Sequence, residues 1–240
     1  MILELDAGNS CIKWRLLGDG RKLSGIVSHD PFDWQATLPT RAVVDRARVA
    51  NVAGDEAAAS LRDFIAKAWG VTAEFATSTS ACVGVRNSYR DPATLGVDRW
   101  LAILAAWRHS ACRPCVVVDA GSALTVDFVT ASGVFSGGYI VPGLSMMIEA
   151  LRGGTSQIDF AQSACIDVKP GSNTVDAVQN GCLAMSVAFI EAVLRRFEAE
   201  EGEARVLVTG GGGELLVQHL AADVEYQPDL VLDGLALALP

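Results

Sequence analysis

Two short stretches of the chain share one pattern of apolar, acidic and small residues. Residues 3–10 read LELDAGNS and residues 116–123 read VVVDAGSA. A run rich in apolar residues follows each of them, over 12–17 and 124–129, and then a turn with glycine and a further short strand. Strands joined by such turns form antiparallel hairpins. Each stretch is therefore predicted to open a β-meander whose first strand ends in Asp-x-Gly.

Apolar residues at helical spacing mark three other segments. The spacing predicts helices over residues 55–68, 92–107 and 174–198. Pro92 suits the first turn of the second helix, because proline has no backbone N–H to leave unpaired there. Thr174 suits the N-cap of the third helix, since its hydroxyl can accept a hydrogen bond from a backbone N–H. Helices are therefore expected after each meander.

The order of the elements indicates the fold class. A hairpin and helices are followed by a second hairpin, more helices, a strand at 205–208, a glycine-rich turn at 210–213 and a last helix. This alternation is typical of α/β proteins. The sequence predicts two similar halves, residues 1–112 and 113–240, with the boundary near residues 110–115.

Composition narrows the class of protein. Of the 240 residues, 19 are Lys or Arg and 28 are Asp or Glu, which gives a net charge of −9 with His neutral. Binding to nucleic acid or to an anionic membrane depends on clustered basic residues, so this balance argues against both. No apolar run reaches the roughly 20 residues that span a bilayer, and the first residues lack the pattern of a signal peptide. The sequence predicts a soluble, cytoplasmic protein that binds neither nucleic acid nor membrane.

An Asp-x-Gly at the end of a strand places a carboxylate beside exposed backbone amides. Glycine allows the tight reversal and lets a ligand approach the main chain. Amides that point into one concavity bind anions, but the carboxylate would repel a bare phosphate. The combination suits a phosphate that shares a cation such as Mg²⁺ with the Asp. An ordinary turn would explain one copy, whereas two copies favour a pair of loops that hold a polyphosphate.

Other phosphate-binding and metal-binding patterns are incomplete. The chain has no P-loop sequence, and the glycines at 210–213 lack the later glycine of a dinucleotide fingerprint, although they suit the floor of an adenine or ribose pocket. Cys112 and Cys115 form a C-x-x-C, and His109 lies three residues before it. A metal site would need a fourth ligand, and a thioredoxin-like pair would need a helix N-terminus. We interpret these thiols as part of a helix–strand connection.

Six motifs together resemble the type III pantothenate kinases, a family of the acetate and sugar kinase, heat-shock chaperone and actin superfamily. They occur in the family's order along almost the whole chain, and the first three are the most specific. The motifs are DAGNSCIKW (6–14), LGVDRWLA (95–102), VVVDAGSALTVD (116–127), GGYIVPG (137–143), TGGGGELL (209–216) and PDLVLDGLALA (228–238).

The resemblance implies an activity and an architecture. The activity is the ATP-dependent phosphorylation of pantothenate to 4'-phosphopantothenate, the first step of coenzyme A biosynthesis. The architecture is α/β, with two actin-like (ribonuclease H-like) halves and a nucleotide cleft between them. The resemblance also implies a homodimer, Mg²⁺, and a monovalent cation, K⁺ or NH₄⁺.

The resemblance assigns ATP to the first Asp-x-Gly loop. Asp6 would hold Mg²⁺, directly or through water, and the Lys13 ammonium would contact phosphate as a mobile point charge. Taken alone, Lys13 is equally a solvated strand residue. The residues implied to bind ATP and its phosphates are Asp6, Ala7, Gly8, Asn9, Ser10, Cys11, Ile12, Lys13 and Ser122.

The acceptor site is implied to lie at the GVDRW motif. Asp98 would be the catalytic base, which orients the acceptor hydroxyl and takes its proton. Arg99 would meet the pantothenate carboxylate or the transferred phosphoryl group, and pairing with a nearby acid is an equal alternative. The residues implied to bind pantothenate are Tyr89, Gly96, Val97, Asp98, Arg99 and Thr174.

Three residues of the second half complete the implied site. Asp119 would be the ligand of the monovalent cation, and Ser122 stands where the family usually has Thr, so the hydroxyl that contacts ATP is kept. Thr174 would reach pantothenate from the neighbouring subunit. The apolar face of residues 182–194 would then bury against its twin in the homodimer.

Two other functions remain open on the sequence. Another sugar or acetate kinase of the superfamily would generally be longer and would lack LGVDRW. A non-catalytic regulator is the alternative from a different class, because relatives of this family were first described as transcriptional accessory factors. The net charge opposes direct DNA contact, and the intact Asp6, Lys13, Asp98 and Asp119 oppose a loss of catalysis.

Overall fold

The computed structural model describes residues 1–18, 20–154, 166–221 and 223–240. The chain forms two compact units. The first contains residues Met1–Ala105 together with Asp229–Pro240, and the second contains Ala106–Pro228. The predicted boundaries of the halves, 1–112 and 113–240, stay a prediction. The division into compact units places Asp229–Pro240 with the first unit.

Each unit contains a five-stranded arrangement with the same topology. In the first unit the order is β3-β2-β1-β4-β5, and in the second it is β10-β9-β8-β11-β12. In both, a three-stranded antiparallel meander continues into two parallel strands. The strands are β1 Ile2–Ala7, β2 Ile12–Gly18, β3 Arg21–Val27, β4 Arg46–Asn51, β5 Ala73–Phe75, β8 Cys115–Ala120, β9 Ala123–Val129, β10 Val134–Pro142, β11 Arg205–Thr209 and β12 Val224–Tyr226. The prediction of two similar α/β halves is confirmed.

Helices follow the meanders, as predicted, with one shifted start. The expected helix at 92–107 is instead a short 3-10 turn, Pro92–Thr94, and a separate helix that begins at Val97. Leu95 between them is in an extended conformation, so the helix cannot run through. The helices and the small hairpin are α1 Pro31–Thr37, α2 Asp55–Trp69, β6 Ala81–Cys82, β7 Val85–Asn87, α3 Val97–His109, α4 Leu144–Gly154, α5 Thr174–Glu201, α6 Gly213–Val217 and α7 Leu230–Ala238.

Alternation along β1 and β2 separates a core face from a polar face. Leu3 and Leu5 are fully buried in the core of the first unit, where Trp34 of α1 and Leu61 of α2 pack against the sheet. Glu4 and Asp6 alternate with these leucines along β1, and their side chains lie on the opposite face because successive strand residues alternate. The polar face therefore carries the charged residues of the first Asp-x-Gly stretch.

A buried ion network lies on this polar face and fastens α7 to the sheet. The Glu4 carboxylate is fully buried and accepts hydrogen bonds from Arg15 Nε at 2.7 Å and from Arg48 at 3.2 Å. Arg15 also donates to Asp233 of α7 at 2.5 Å. Gly234 packs so closely on Leu101 that a Cβ at 234 would lie 2.7 Å from the Leu101 Cα. Residues from both ends of the chain thus hold one unit together.

Replacing Arg15 should strongly destabilise the protein. Arg15→Ala would leave Glu4 buried with only the Arg48 contact, and breaking a buried pair in this way costs about 3–5 kcal/mol. Urea denaturation would measure the loss. Arg205→Ala is the matched control, because the exposed pair of Arg205 with Glu225 should contribute nothing measurable. Equal stabilities for the two variants would contradict a structural role for the network.

The long helix α5 supplies most of the apolar cover of the second sheet. Leu183, Val187, Ile190 and Leu194 are buried against Val118, Val126 and their neighbours on β8 and β9. Among the residues that the structure describes, α5 is long and apolar enough to cross a membrane by length and composition alone. Its buried residues line the core of the unit, as those of a core helix in a soluble protein do.

Two predictions about α5 are wrong. Its N-cap is Asn173, whose side chain accepts a hydrogen bond from the Asp176 N–H at 3.0 Å, and Thr174 is the first helical residue. The apolar stripe of 182–194 packs against the helix's own sheet, so it cannot bury against a twin helix. The apolar stripe covers the face of the second sheet, so any contact between subunits must use other residues.

Candidate active site

The first Asp-x-Gly loop is a four-residue turn between β1 and β2. Asp6 pairs directly with Lys13 across the two antiparallel strands, so both side chains stand on the same polar face. The turn closes through a hydrogen bond from the Gly8 N–H to the Cys11 carbonyl at 3.1 Å. A carboxylate, an ammonium and a tight turn therefore lie at one end of the sheet, which suits a phosphate that binds together with a cation.

Burial divides the predicted loop residues into two kinds. Ala7 and Ile12 point into the core and are almost completely buried, so they can offer a ligand only their backbone groups. Asn9 and Ser10 are exposed at the tip of the turn, and Cys11 is half-buried. The side chains able to reach a phosphate are thus those of the tip together with Asp6 and Lys13.

His29 is a contact of this loop that the sequence did not indicate. Its ring Nε2 lies 2.7 Å from the Gly8 carbonyl oxygen, and because a carbonyl only accepts, the ring must donate. The contact joins residues 21 positions apart. No local motif marks it, because His29 follows the third strand of the meander and comes near Gly8 only when the sheet forms.

Asp98 lies in the first turn of α3. Its Oδ1 accepts a hydrogen bond from the Arg99 N–H at 2.7 Å, and an acidic side chain is favoured at this end of a helix. A Cβ at Gly96 would lie 2.6 Å from the same Oδ1. Glycine at 96 therefore leaves room for the Asp98 carboxylate. Val97, by contrast, is buried and can contribute only its backbone.

Arg99 and Tyr89 are brought together. Arg99 is buried, and its guanidinium donates to the Tyr89 hydroxyl at 3.1 Å. Asn87 holds the start of the segment from Tyr89 to Arg99. Its Oδ1 accepts a hydrogen bond from the Tyr89 N–H at 3.0 Å, and its side-chain amide donates to the carbonyls of Thr79 and Pro92. Asn87 is a second residue that the sequence did not indicate. The four predicted acceptor-site residues from 96 to 99 and Tyr89 form one cluster in the first unit.

The second Asp-x-Gly loop is tighter than the first. Only Gly121 and Ser122 separate β8 from β9, and both are exposed. The end of β10 closes on this turn, since the Gly143 N–H donates to the Ser122 carbonyl at 3.1 Å. A Cβ at Gly143 would lie 2.5 Å from that carbonyl oxygen, so only glycine fits there. Ser122 is thus an exposed residue in a turn whose backbone is held by the end of β10.

The glycine run at 210–213 packs beside Asp119. Gly210 has a φ of +83°, and a Cβ there would collide with the Asp119 carboxylate and lie 2.7 Å from the Ala120 carbonyl oxygen. The Gly212 N–H donates to the Ala120 carbonyl at 2.9 Å. A pocket of about 210 Å³ opens beside this contact, lined by Gly121, Leu144, Ser186, Gly211, Gly212 and Leu215.

Cys112 and Cys115 sit in the connection between α3 and β8. Cys112 is exposed and has a left-handed backbone conformation, whereas Cys115 is buried and is the first residue of β8. Burial raises the pKa of the Cys115 thiol to about 12, so the thiol is protonated at neutral pH. A protonated, buried thiol is neither a nucleophile nor a ready metal ligand.

The donor set of the first loop suits Mg²⁺. Within the described ranges, no three His, Cys, Asp or Glu side chains come together as a metal cage. Mg²⁺ does not need one, because it is usually bound by one or two carboxylates together with substrate phosphates and water. Asp6 supplies a single half-buried carboxylate at the open end of the sheet, which fits that pattern.

Comparison with solved structures identifies the fold class. A protein from Campylobacter jejuni assigned to the Baf family of transcriptional activators superposes with a TM-score of 0.63 at 21% identity, covering 98% of this chain and 95% of that one. A protein from Sinorhizobium meliloti assigned as a 2-dehydro-3-deoxygalactonokinase superposes with a TM-score of 0.54 at 16% identity, covering 99% and 98%. The fold is the actin-like fold shared with sugar kinases.

Sequence comparison identifies the family within this class. The profile of the type III pantothenate kinases matches residues 2–196. Type III pantothenate kinases from Ectopseudomonas mendocina and Pseudomonas aeruginosa are each 40% identical to the chain, and one from Pseudomonas putida is 38% identical; each match covers 100% of this chain and 99% of the relative. The chain belongs to the type III pantothenate kinase family.

Proposed function

We propose that the chain transfers the γ-phosphoryl group of ATP to the primary hydroxyl of pantothenate, the first step of coenzyme A biosynthesis. The observation that carries the proposal is the full-length match to pantothenate kinases together with the cluster of Tyr89, Asp98 and Arg99. The kinase activity, with ATP as co-substrate, follows from the family. The roles of individual residues below are our own assignments.

The first loop would hold the phosphates of ATP. The amides of residues 9–11 and the Lys13 ammonium would face the anion, and Asp6 would hold the Mg²⁺ that accompanies it. When bound there beside Asp6, Mg²⁺ would offset negative charge on the phosphates. His29 would keep the loop in shape through the Gly8 carbonyl.

The acceptor hydroxyl would be activated by Asp98. Its carboxylate takes the hydroxyl proton as the new oxygen–phosphorus bond forms and the bond to the leaving ADP oxygen breaks. The Asp98 carboxylate is held at the start of a rigid helix, over a glycine, which fixes where that proton is received. Arg99, held by Tyr89, would face the negative charge of pantothenate or of the transferred group.

The second unit would bind the nucleoside and a monovalent cation. The pocket beside Gly211 and Gly212 has apolar walls and glycine edges, which suit a flat adenine ring or ribose. Asp119, backed by Gly210 and the Ala120 carbonyl, offers a carboxylate and a carbonyl oxygen in a cradle that a side chain at 210 would fill. Those oxygens fit K⁺ or, as hydrogen-bond acceptors, NH₄⁺.

A homodimer is supported by exposed apolar residues of the second unit. Ile140 of β10 is 62% exposed, Met146 of α4 is 53% exposed and Met185 of α5 is 58% exposed. The helix α4 packs on both α5 and β10, so these residues belong to contacting elements. Large exposed apolar side chains that share one region mark association surfaces. This surface replaces the buried stripe of 182–194 as the proposed contact between subunits.

The activity is tested directly with purified protein. ATP-dependent formation of phosphorylated pantothenate should require Mg²⁺ and should not occur with glucose or acetate as acceptor. Absence of pantothenate phosphorylation by folded protein would favour a non-catalytic regulator instead. The charge of −9 supports a protein that binds neither nucleic acid nor an anionic membrane, and a DNA-binding assay would test that part separately.

Mixing two inactive variants should restore activity if Thr174 serves the partner's site. Thr174 is exposed, and Asn173 already provides the helix cap, so a role in capping does not explain it. Asp98→Asn subunits should be combined with Thr174→Trp subunits and allowed to exchange. Random pairing would return about a quarter of the wild-type activity, because each mixed dimer has one site with both defects and one with neither.

The control for mixing is a variant that cannot dimerise. Ile140→Glu combined with Met185→Glu should yield an inactive monomer by size-exclusion chromatography and activity assay. Co-purification of differently tagged subunits would verify that exchange has occurred. If exchanged subunits stay inactive, each site is built within one chain and Thr174 has no role across the dimer.

A further inference from the structure

The hydroxyl of Thr125 is buried with no hydrogen-bond partner within the described part of the chain. Thr125 is only 9% exposed, and it lies on β9 directly opposite Asp119 on β8. Residues opposite one another in an antiparallel pair point to the same face, with Cβ atoms about 5 Å apart. A buried polar atom without a partner is costly, so a ligand beside Asp119 would explain this one.

The two meanders differ in the residues that flank this aspartate in register. In the first unit, Asp6 is flanked in register by Lys13 and Ala50. In the second unit, Asp119 is flanked by Thr125 and Thr209. The neighbour across the first strand pair is thus an ammonium, whereas both neighbours in the second unit are neutral threonines.

The backbone of the loop after β11 lies close to Asp119. Gly210, in its left-handed conformation, brings the backbone against the carboxylate, and the Gly212 N–H fixes the Ala120 carbonyl. The Asp119 carboxylate and the Thr125 hydroxyl stand on the same face of the β8–β9 pair, and K⁺ takes oxygen ligands in place of its hydration shell.

We propose that the Thr125 hydroxyl is a ligand of the monovalent cation at Asp119 and sets the preference of this site for potassium over sodium. The inference rests on the proposed cation role of Asp119. The hydroxyl adds a neutral oxygen that completes the coordination of the larger ion without adding charge. Removing it should weaken potassium binding while leaving the fold unchanged, because the hydroxyl makes no bond within the described protein.

The test is the thermal stability of Thr125→Val in potassium chloride and in sodium chloride of equal ionic strength, without substrates. Valine has almost the same shape and lacks only the hydroxyl. Wild-type protein should gain about 5 °C in Tm in saturating potassium relative to sodium, because an ion that binds only the folded state stabilises it. Thr125→Val should lose this gain while its Tm in sodium equals or exceeds that of the wild type.

Two further variants separate a ligand from a merely structural residue. Thr125→Ser keeps the hydroxyl and should keep the gain in potassium. Thr130→Val, five positions along, removes a hydroxyl that bonds to Ser132 and to the Val134 N–H. It should lower the Tm equally in both salts and leave the gain intact.

The outcomes distinguish the inference from the role of Asp119. If the wild type shows no gain in potassium, the cation site itself is absent and both proposals fall. If the wild type and Thr125→Val gain equally, while Asp119→Asn loses the gain, Asp119 binds the ion and Thr125 does not. Loss of the gain in Thr125→Val but not in Thr125→Ser or Thr130→Val supports the proposal.

Discussion

Asp98→Asn should lower the turnover number by roughly 10²–10⁴-fold, the range for losing a general base. Asparagine keeps the shape of the side chain and its Oδ1 can still accept from the Arg99 N–H. It cannot take the acceptor proton. The KM for ATP should change little, because Asp98 is assigned to the acceptor and not to the nucleotide. Steady-state kinetics with pantothenate and ATP varied in turn would measure both effects.

A nearby aspartate provides the control for this variant. Asp91 caps the 3-10 turn by accepting from the Ala93 N–H at 3.1 Å, and it lies seven positions before Asp98. Asp91→Asn should affect stability slightly and leave turnover near the wild-type value. Circular dichroism would establish that both variants are folded. Turnover of Asp98→Asn above about a tenth of wild type would remove Asp98 from the role of base.

Replacing potassium with sodium should nearly abolish the activity of the wild-type enzyme, and adding potassium back should restore it. The proposed ion at Asp119 would offset the repulsion between this carboxylate and the ATP phosphates, which at about 4 Å and an effective dielectric constant of 20 amounts to about 4 kcal/mol. Loss of even half of that interaction lowers a rate more than tenfold. Asp119→Ala should have low activity that no longer responds to potassium.

The response to potassium must be separated from a general effect of salt. Choline chloride at the same ionic strength should behave like sodium chloride with the wild type. Asp223, an exposed acidic residue of the same unit, provides the control variant. Asp223→Ala should respond to potassium as the wild type does. A wild-type enzyme that works equally in sodium would exclude the cation role of Asp119.

The meanders and the long helix could be predicted because their patterns are local. Strand-forming runs that are joined by a turn with glycine predict the hairpins β1–β2 and β8–β9. Apolar residues at helical spacing predict α5. The pattern at 92–107 predicts a helix that starts too early, because a proline after an aspartate equally starts a short 3-10 turn. For the apolar stripe of 182–194, periodicity shows which face is buried but not whether the helix's own sheet or a partner subunit buries it.

A site residue could be predicted where the same motif also contains the residues that position its side chain. Asp98 and Gly96 are two positions apart, so the space that the carboxylate occupies is encoded beside it. The support of the other residues is distant in sequence. His29 reaches Gly8, and Asn87 holds the Tyr89 segment, only after sheets and loops have formed. The catalytic and binding roles themselves stay predictions until the variants are measured.

The return of residues 229–240 to the first unit affects how the chain folds during synthesis. Residues 106–228 are continuous and can complete their unit as soon as they leave the ribosome. The first unit is made earlier, yet Arg15 lacks Asp233 and the sheet lacks α7 until residues 230–238 have been synthesised. At ~5–20 residues per second, this wait lasts roughly 10 s. The part that is synthesised first is therefore the last to mature, and during that interval it is the segment most exposed to chaperones and proteases.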